Sequence, residues 1–333
     1  MKARARDNPP ESPGWIYEPK WDGFRMIAWS GDEPRLDSRS GKPLLRYFPE
    51  LGPALAQLPP GTVVDGEIVL VRDDVTQFDQ LQLRIHPAAS RIALLSAEIP
   101  ADLVAFDLLA DRGEDLRKMP YSERRARLEA LFSGLDHPWH LTPITEDLEV
   151  ARRWFDEYEA AGCDGIICKQ AAGEYVEDKR VWLKWKHRRD CDCVVGGYRV
   201  HKDGDKIGSI LLGVYNDAGE LHFVGHCSGF SDHDRVELLA QFEQIRSDES
   251  FGGEGEVRVP GAGSRWSAGK DLSWIPVTPG VVVQVSYDQI ERGRFRHATR
   301  FERWRFDKEP EECTMDQLVR PDGAGFGVVV GGR

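Results

Sequence analysis

From Trp15 onward apolar and polar positions alternate in short runs. The period of two predicts strands at Phe24–Trp29, Thr62–Val71 and Leu103–Leu109. Two stretches follow the helical period instead. One is Ser122–Phe132, with Ser122 as its N-cap. The other is Glu146–Ala161, which puts Leu148, Ala151, Phe155 and Tyr158 roughly on one face and has Gly162 placed to end it. Asp164–Lys169 and Val181–Trp185 read as further short strands, the first of them buried. Ahead of Trp15 the chain is polar and rich in Pro and Gly, so residues 1–14 are expected to be flexible.

The pattern changes after about Asp190. Cys193–Val200, Ile210–Tyr215, Leu221–Cys227 and Val281–Tyr287 are strand-like runs separated by turn residues, and one helix, Asp232–Gln244, interrupts them. Many short strands with one helix predict a small β-barrel of the OB type, a fold whose face often takes nucleic acid. The Gly-rich end reads as a disordered tail. The expected layout is therefore α+β, with a first domain over residues 15–189, an OB domain over 190–318 and a tail over 319–333.

Composition narrows the function classes. The chain has 333 residues, 41% of them hydrophobic, enough for more than one core. Its net charge of −12 argues against a protein that merely coats nucleic acid, so any such contact must use local basic patches. No apolar run approaches a membrane span, and Met1–Asn8 has no apolar segment of a signal peptide behind it. Cys163, Cys168, Cys191, Cys193, Cys227 and Cys313 lack paired zinc-site spacing. They read as buried, reduced thiols, which fits the cytosol.

The candidate chemistry begins at Glu18-Pro19-Lys20-Trp21-Asp22-Gly23-Phe24-Arg25. A lysine amine becomes a nucleophile when its pKa is lowered. Attack on the α-phosphate of ATP would form a phosphoramidate and release pyrophosphate, with Arg25 free to hold a phosphate or the ribose. Alone, this motif is weak; a surface Lys–Asp turn looks the same. Further along come Ser38-Arg39-Ser40-Gly41 and Val64-Asp65-Gly66-Glu67-Ile68. The latter sets acids inside an apolar strand, where each needs a metal, a hydroxyl or a cation. Phe106-Asp107 sits in another apolar run, with Phe106 either a core residue or a platform for a purine. Asp164-Gly165-Ile166-Ile167-Cys168-Lys169 repeats the pairing of an acid and a lysine around a buried strand. Lys184 and Lys186, two apart on a strand, share one face. A polyanion between them would relieve their repulsion, and their field would lower the pKa of a neighbouring lysine.

In order and rough spacing, these residues resemble the nucleotidyltransferase motif series of ATP-dependent DNA ligases. The sequence is most similar to the small bacterial ligases often called ligase C and to the ligase module of bacterial end-joining ligase D. The likeness runs from about Trp15 to about Pro310. It implies an ATP-grasp-like nucleotidyltransferase domain of antiparallel sheets and helices, followed by an OB-fold barrel. It implies that Lys20 is the adenylated nucleophile and that Lys184 and Lys186 act at the phosphates. Asp307, in Arg305-Phe306-Asp307-Lys308, would help orient the departing pyrophosphate. Glu18 would read the adenine edge, Phe106 and Ile167 would cover the two faces of the base, and Arg39 would face the ribose and DNA. Glu67 and Asp164 would be the metal-facing acids, for Mg²⁺ or Mn²⁺. Two departures matter. Asp164 stands where the family commonly has Glu, which bears on its metal role. Only nineteen residues precede Lys20, where larger ligases carry a DNA-binding domain.

The implied reaction seals nicks or joined ends between a 3′-hydroxyl and a 5′-phosphate, through lysyl-AMP and then DNA-adenylate. Its substrate is nicked or broken double-stranded DNA. The implied setting is DNA repair, in the cytoplasm at the nucleoid, by a monomer that a Ku-like end-binding protein or a repair polymerase could recruit. Arg39, Arg188, Arg294, Arg296, Arg300 and Arg303 are the expected DNA contacts. From Arg292 to Arg305 six arginines interleave with Phe295, Phe301 and Trp304, a pattern suited to tracking a nucleic-acid backbone. The competing reading is a charged sheet face packed on the barrel. Alternatives for the whole chain are an RNA ligase or capping-type nucleotidyltransferase, and a non-catalytic DNA-end-binding module.

Overall fold

The structure is a computed structural model that describes residues 1–248, 250–252, 257–261, 271–291, 293–319 and 321–331. The chain divides into two compact units. The first is Met1–His187 together with Pro321–Arg333, and the second is Arg188–Arg320.

Two sheets build the first unit. The smaller joins β1 (Ala3–Arg6), β2 (Trp15–Pro19), β8 (Gly165–Gln170) and β9 (Trp182–Lys186) in the order β1-β9-β8-β2. The larger joins β3 (Phe24–Trp29), β4 (Arg35–Ser38), β5 (Val63–Val69), β6 (Asp102–Asp111) and β7 (Trp139–Leu141) in the order β7-β6-β5-β3-β4, with the short strand Glu114–Asp115 beside β6. The sheets are mainly antiparallel, as expected, but β1 with β9 and β7 with β6 run parallel. Strand alternation sets the faces. Met26, Ala28, Val64 and Ile68 enter the main core with Leu103 and Leu108. Ile27, Trp29, Val63 and Phe106 join a second apolar cluster that includes Ile167 and Trp182.

The helices depart from expectation at their ends. The helix α1 (Ala89–Glu98) was not anticipated; it buries Ile92 and Leu95. The next, α2, spans Tyr121–Phe132 and has Pro120 at its N-cap, so Ser122 is not the cap. Proline's fixed φ and missing donor suit a helix start, and the Ser122 amide instead donates to the Ala171 carbonyl (2.9 Å). The helix α3 (Leu148–Glu157) is shorter than Glu146–Ala161. Asp147 caps it by accepting from the amides of Glu149 and Val150. Ala151 is buried, with Leu148 and Phe155 packed beside it, but Tyr158 belongs to another cluster.

Both ends of the chain were expected to lack structure, and both pack. Strand β1 pairs with β9 through backbone alone, which no hydrophobic pattern announces, and Met1 is only 8% exposed. At the other end α5 (Phe326–Gly331) returns to the first unit. The Phe326 amide donates to the Asp74 carbonyl (2.6 Å) and the Gly327 amide to Asp74 Oδ1 (2.7 Å). Phe326 packs edge-on against Trp21 (5.4 Å between rings) and His140 (5.1 Å). The glycines here serve close approach: a Cβ on Gly323 would lie 2.2 Å from the Glu157 carbonyl, and one on Gly325 1.8 Å from Asp74 Oδ2.

The second unit is a curled sheet of β10 (Arg189–Val200), β11 (Ile207–Tyr215), β12 (Leu221–Cys227), β13 (Val282–Tyr287) and β14 (Arg300–Trp304), ordered β12-β11-β10-β13-β14. Irregular register at Val195/Gly197, Leu212/Gly213 and Gln284/Val285 supplies the bends that such small barrels need. The helix α4 (Asp232–Glu243) starts in a capping box between Ser231 and Asp234. All six cysteines are buried and unbonded. Among the described residues no helix is long and apolar enough to cross a membrane.

Candidate active site

The predicted site draws on both sheets: Glu18, Ile167 and Lys184 lie on β2, β8 and β9, and Glu67 and Phe106 on β5 and β6. Lys20 follows β2, and its backbone is clamped to β8: the Lys20 amide donates to the Gly165 carbonyl (2.8 Å) and the Asp164 amide to the Lys20 carbonyl (2.9 Å). In register, Glu18 faces Ile167, Ile167 faces Lys184, and Gly165 faces Lys186. Residues far apart in sequence thus converge. A cavity of about 500 Å³ opens among them, lined by Glu18, Lys20, Arg39, Glu67, Phe106, Ile167 and Lys184.

The electrostatics at Lys20 differ from the expected picture. Its Nζ lies 2.7 Å from Asp164 Oδ1, and Lys186 Nζ lies 3.1 Å from Asp164 Oδ2. Burial pulls the Lys20 ammonium down, but Asp164, aided by Asp22 and Glu67, more than reverses this and holds it above the ordinary lysine value. The idea that Lys184 and Lys186 lower the Lys20 pKa is therefore corrected for the unliganded site. The sequence could not show that Asp164 would sit between the lysines. Burial would raise Asp164 itself, yet the two ammonium groups keep it below the usual carboxylate range. Glu67 is different: burial pushes its carboxyl up to about 8 despite the attraction of Lys20 and Arg25.

Arg25 lines the cavity, but its guanidinium is engaged. Nε donates to Asp65 Oδ1 (2.9 Å), Nη2 to Asp65 Oδ2 (2.5 Å) and Nη1 to the Met1 carbonyl (2.5 Å). Tyr175 donates to the same carboxylate (2.8 Å). In the unliganded site Arg25 therefore braces the cavity wall.

Two residues beside Glu18 received no site role from the sequence, although Lys169 stood out as the lysine of the Asp164–Lys169 strand. Lys169, 1% exposed, sets its Nζ 2.8 Å from Glu18 Oε1 and donates to the Phe106 carbonyl (2.9 Å). It lies 4.4 to 4.7 Å from the ring centres of Trp182, Tyr121 and Phe106. Tyr121 donates to Glu18 Oε2 (3.1 Å). Burial lowers the Lys169 ammonium and raises the Glu18 carboxyl. The available signal was a lysine in an otherwise apolar strand, which requires a buried counter-ion.

A family profile described as the ATP dependent DNA ligase domain matches residues 8–186, and one for the ATP dependent DNA ligase C terminal region matches residues 203–308. The chain is 48% identical to DNA ligase C2 of Mycolicibacterium smegmatis, over 93% of this chain and 91% of that protein. The chain belongs to the ATP-dependent DNA ligases. This ligase is also 46% identical to DNA ligase C of Mycobacterium tuberculosis, over 93% of this chain and 90% of that one. A solved Lig E DNA ligase shares its fold at a TM-score of 0.57 and 15% identity, covering 89% of this chain and 94% of that chain.

In the second unit of the ligase, Asp307 pairs with Arg305 through two contacts of 2.9 Å, which bring its carboxyl down to about 2. Arg305 and Lys308 also meet Asp192, at 2.8 and 3.0 Å. Between them Phe306 is 92% exposed. The arginine patch is only partly as expected. Arg188, Arg300 and Arg303 are exposed. Arg294 is half-buried over the Phe223 ring (5.0 Å), and Arg296 is tied to Glu291 (3.3 Å) and Gln289 (2.5 Å). Phe295 is buried, and Phe301 and Trp304 pack against the same core. Phe295 thus serves the core, while Phe301 and Trp304 pack against it and keep part of their surface exposed. Arg292 lies outside the described residues.

Proposed function

We propose that Lys20 is the residue that accepts AMP and that the cavity beside it binds ATP. The observation that carries this is the convergence on one cavity of Lys20, Glu67 and Lys184 with Glu18, Phe106 and Ile167. Glu18 suits the amino edge of adenine as an acceptor, while Phe106 and Ile167 provide apolar cover for its faces. Arg39 lines the same cavity and suits the ribose or DNA side. In the unliganded site Asp164 neutralises Lys20 and Lys186. An incoming triphosphate supplies competing negative charge and draws Lys184 and Lys186 toward its oxygens; the Lys20 ammonium passes a proton to the Asp164 carboxylate 2.7 Å away, and its amine attacks the α-phosphorus as pyrophosphate leaves. On the second unit, Asp307 with Arg305 and Lys308 is the group we assign to the departing pyrophosphate.

The reaction fits Mg²⁺ or Mn²⁺. Glu67 is an oxygen donor whose proton a divalent cation would displace, and Asp164 is the second carboxylate in reach of the lysines, so these two would hold it. Bound there, the cation supplies charge neutralisation at the phosphates. The polynucleotide substrate is nicked or broken duplex DNA, gripped by exposed arginines such as Arg188, Arg300 and Arg303, in repair at the nucleoid. An acidic chain with only local basic patches captures DNA weakly alone. That supports delivery to ends by a Ku-like protein or a repair polymerase.

The deciding experiment incubates the protein, first stripped of carried AMP with pyrophosphate, with α-labelled ATP and Mg²⁺, beside a Lys20→Ala variant. Label that survives denaturation only in the unmodified chain is expected. Equal labelling of both would move the nucleophile elsewhere, and nicked RNA sealed in preference to nicked DNA would change the substrate.

A further inference from the structure

Away from the Lys20 cavity, Asp102, His137 and His140 bring three metal-ligating atoms together. Asp102 opens β6 and His140 lies in β7, paired with Val104 in the parallel ladder. His137 sits in the preceding turn, which is tied back by the Leu103 amide donating to the Pro138 carbonyl (2.9 Å). His140 Nε2 lies 2.9 Å and His137 Nε2 3.0 Å from the same oxygen, Asp102 Oδ1. All three donor atoms fall within 4.8 Å of one another. His137 and His140 share one short segment, but Asp102 comes from a strand well before it, so the fold brings the carboxylate to the two rings.

We propose that Asp102, His137 and His140 form a binding site for one zinc-class divalent cation. Tetrahedral zinc with ligand bonds of about 2.0–2.1 Å spaces its donors roughly 3.3 Å apart, so small rotations of the two rings would admit the ion. Two imidazoles and one carboxylate select zinc, cobalt or nickel over magnesium or calcium, which favour all-oxygen shells. Three protein ligands leave the fourth position to water. His137 is 74% exposed, which gives the ion a route in, while Asp102 and His140 are largely covered and fix the geometry. Behind the site, the His140 ring is held edge-on by Phe326, which in turn packs on Trp21, the neighbour of Lys20. The ion would therefore cross-link the start of β6, the turn at His137 and β7, and stiffen the shelf on which α5 rests.

The test titrates Co²⁺ into the metal-free full chain at neutral pH, with excess Mg²⁺ present to occupy hard-oxygen sites. One equivalent should bind with the intense visible absorption of tetrahedral cobalt, and Zn²⁺ should displace it. His137→Ala changes an exposed side chain and so leaves folding intact. It should weaken cobalt binding by ~100-fold or more, at or beyond the upper end of what loss of an outer-sphere partner costs. Zn²⁺ should raise the thermal midpoint of the unmodified chain and leave that of His137→Ala unchanged. Absence of stoichiometric cobalt binding, or binding in His137→Ala and His140→Ala as strong as in the unmodified chain, overturns the proposal and leaves two histidines hydrogen-bonded to a carboxylate.

Discussion

Replacing Lys169 by Met isolates how the ligase chooses its nucleotide. Methionine has a similar length and a polarizable tip suited to the three rings around Nζ. It removes the cation paired with Glu18, leaving the Tyr121 hydroxyl as a donor and a weaker attraction from Arg125. Breaking a buried pair on one side costs ~3–5 kcal/mol. The carboxyl already sits above its ordinary value because of burial, and loss of the ammonium drives it higher. A carboxyl raised in the folded state binds more protons there than in the unfolded chain. The destabilisation should thus be small near the unfolded value of 4.5 and grow as pH rises above it. Function should change in step. Ionised Glu18 only accepts, which suits the amino group of adenine and repels the carbonyl oxygen of guanine. Protonated, it can donate. Sites built around one hydrogen bond discriminate by ~10⁴ or more, so a fall of ~100-fold in ATP preference over GTP is a conservative expectation. The assay pairs lysine labelling from α-labelled ATP and GTP with urea unfolding at pH 5 and pH 8. Lys169→Met/Glu18→Gln, with no buried charge, should recover most of the stability. An unaltered ATP-to-GTP ratio together with a stability loss below ~0.5 kcal/mol would refute the reasoning.

Three more outcomes follow from the same geometry. The Glu67 carboxyl holds its proton up to about 8, so the metal concentration needed for lysine labelling should fall as pH rises from 6.5 to 8.5; labelling titrations in Glu67→Gln should lose that trend. Arg124 and Asp107 form a fully buried pair at 2.8 and 2.9 Å, so Arg124→Met should cost ~3–5 kcal/mol in urea unfolding, and Arg124→Met/Asp107→Leu should regain much of it. Arg300 and Arg303 are exposed on β14, and if each meets a phosphate, Arg300→Ala/Arg303→Ala should flatten the log–log salt slope of nick binding by ~2; an unchanged slope would place the DNA elsewhere.

What the sequence disclosed depended on whether the signal was local. Lys20, Glu67, Lys184 and Phe106 sit in short patterned runs, and their strands lie close to where periodicity put them. The charge state of Lys20 was not legible, because Asp164 approaches from a strand more than a hundred residues later. Tertiary contact also hid the bracing of Arg25, whose partner Asp65 is on the neighbouring strand and which also donates to the Met1 carbonyl. Backbone pairing concealed β1, since a ladder needs no apolar pattern. Glycines that permit close approach look identical in sequence to glycines that confer freedom, so Gly323 and Gly325 read as a tail. Phe295 shows the opposite direction: spacing beside arginines suggested a nucleic-acid surface, while burial puts its ring in the core, with Phe301 and Trp304 packed partly exposed beside it.

The chain leaves the first unit at His187 and re-enters it at Pro321, which makes the second unit an insertion and not an appendage. Its folding fixes the separation of those two points. Were it to unfold, the docking of Phe326 beside Trp21 would have to close a flexible loop of about 130 residues, an entropic cost of ~4 kcal/mol. The C-terminal helix is therefore a thermodynamic relay: its attachment next to Trp21 strengthens or weakens with the integrity of a unit that it does not belong to. Hydrogen exchange at the Phe326 and Gly327 amides would read out that remote state.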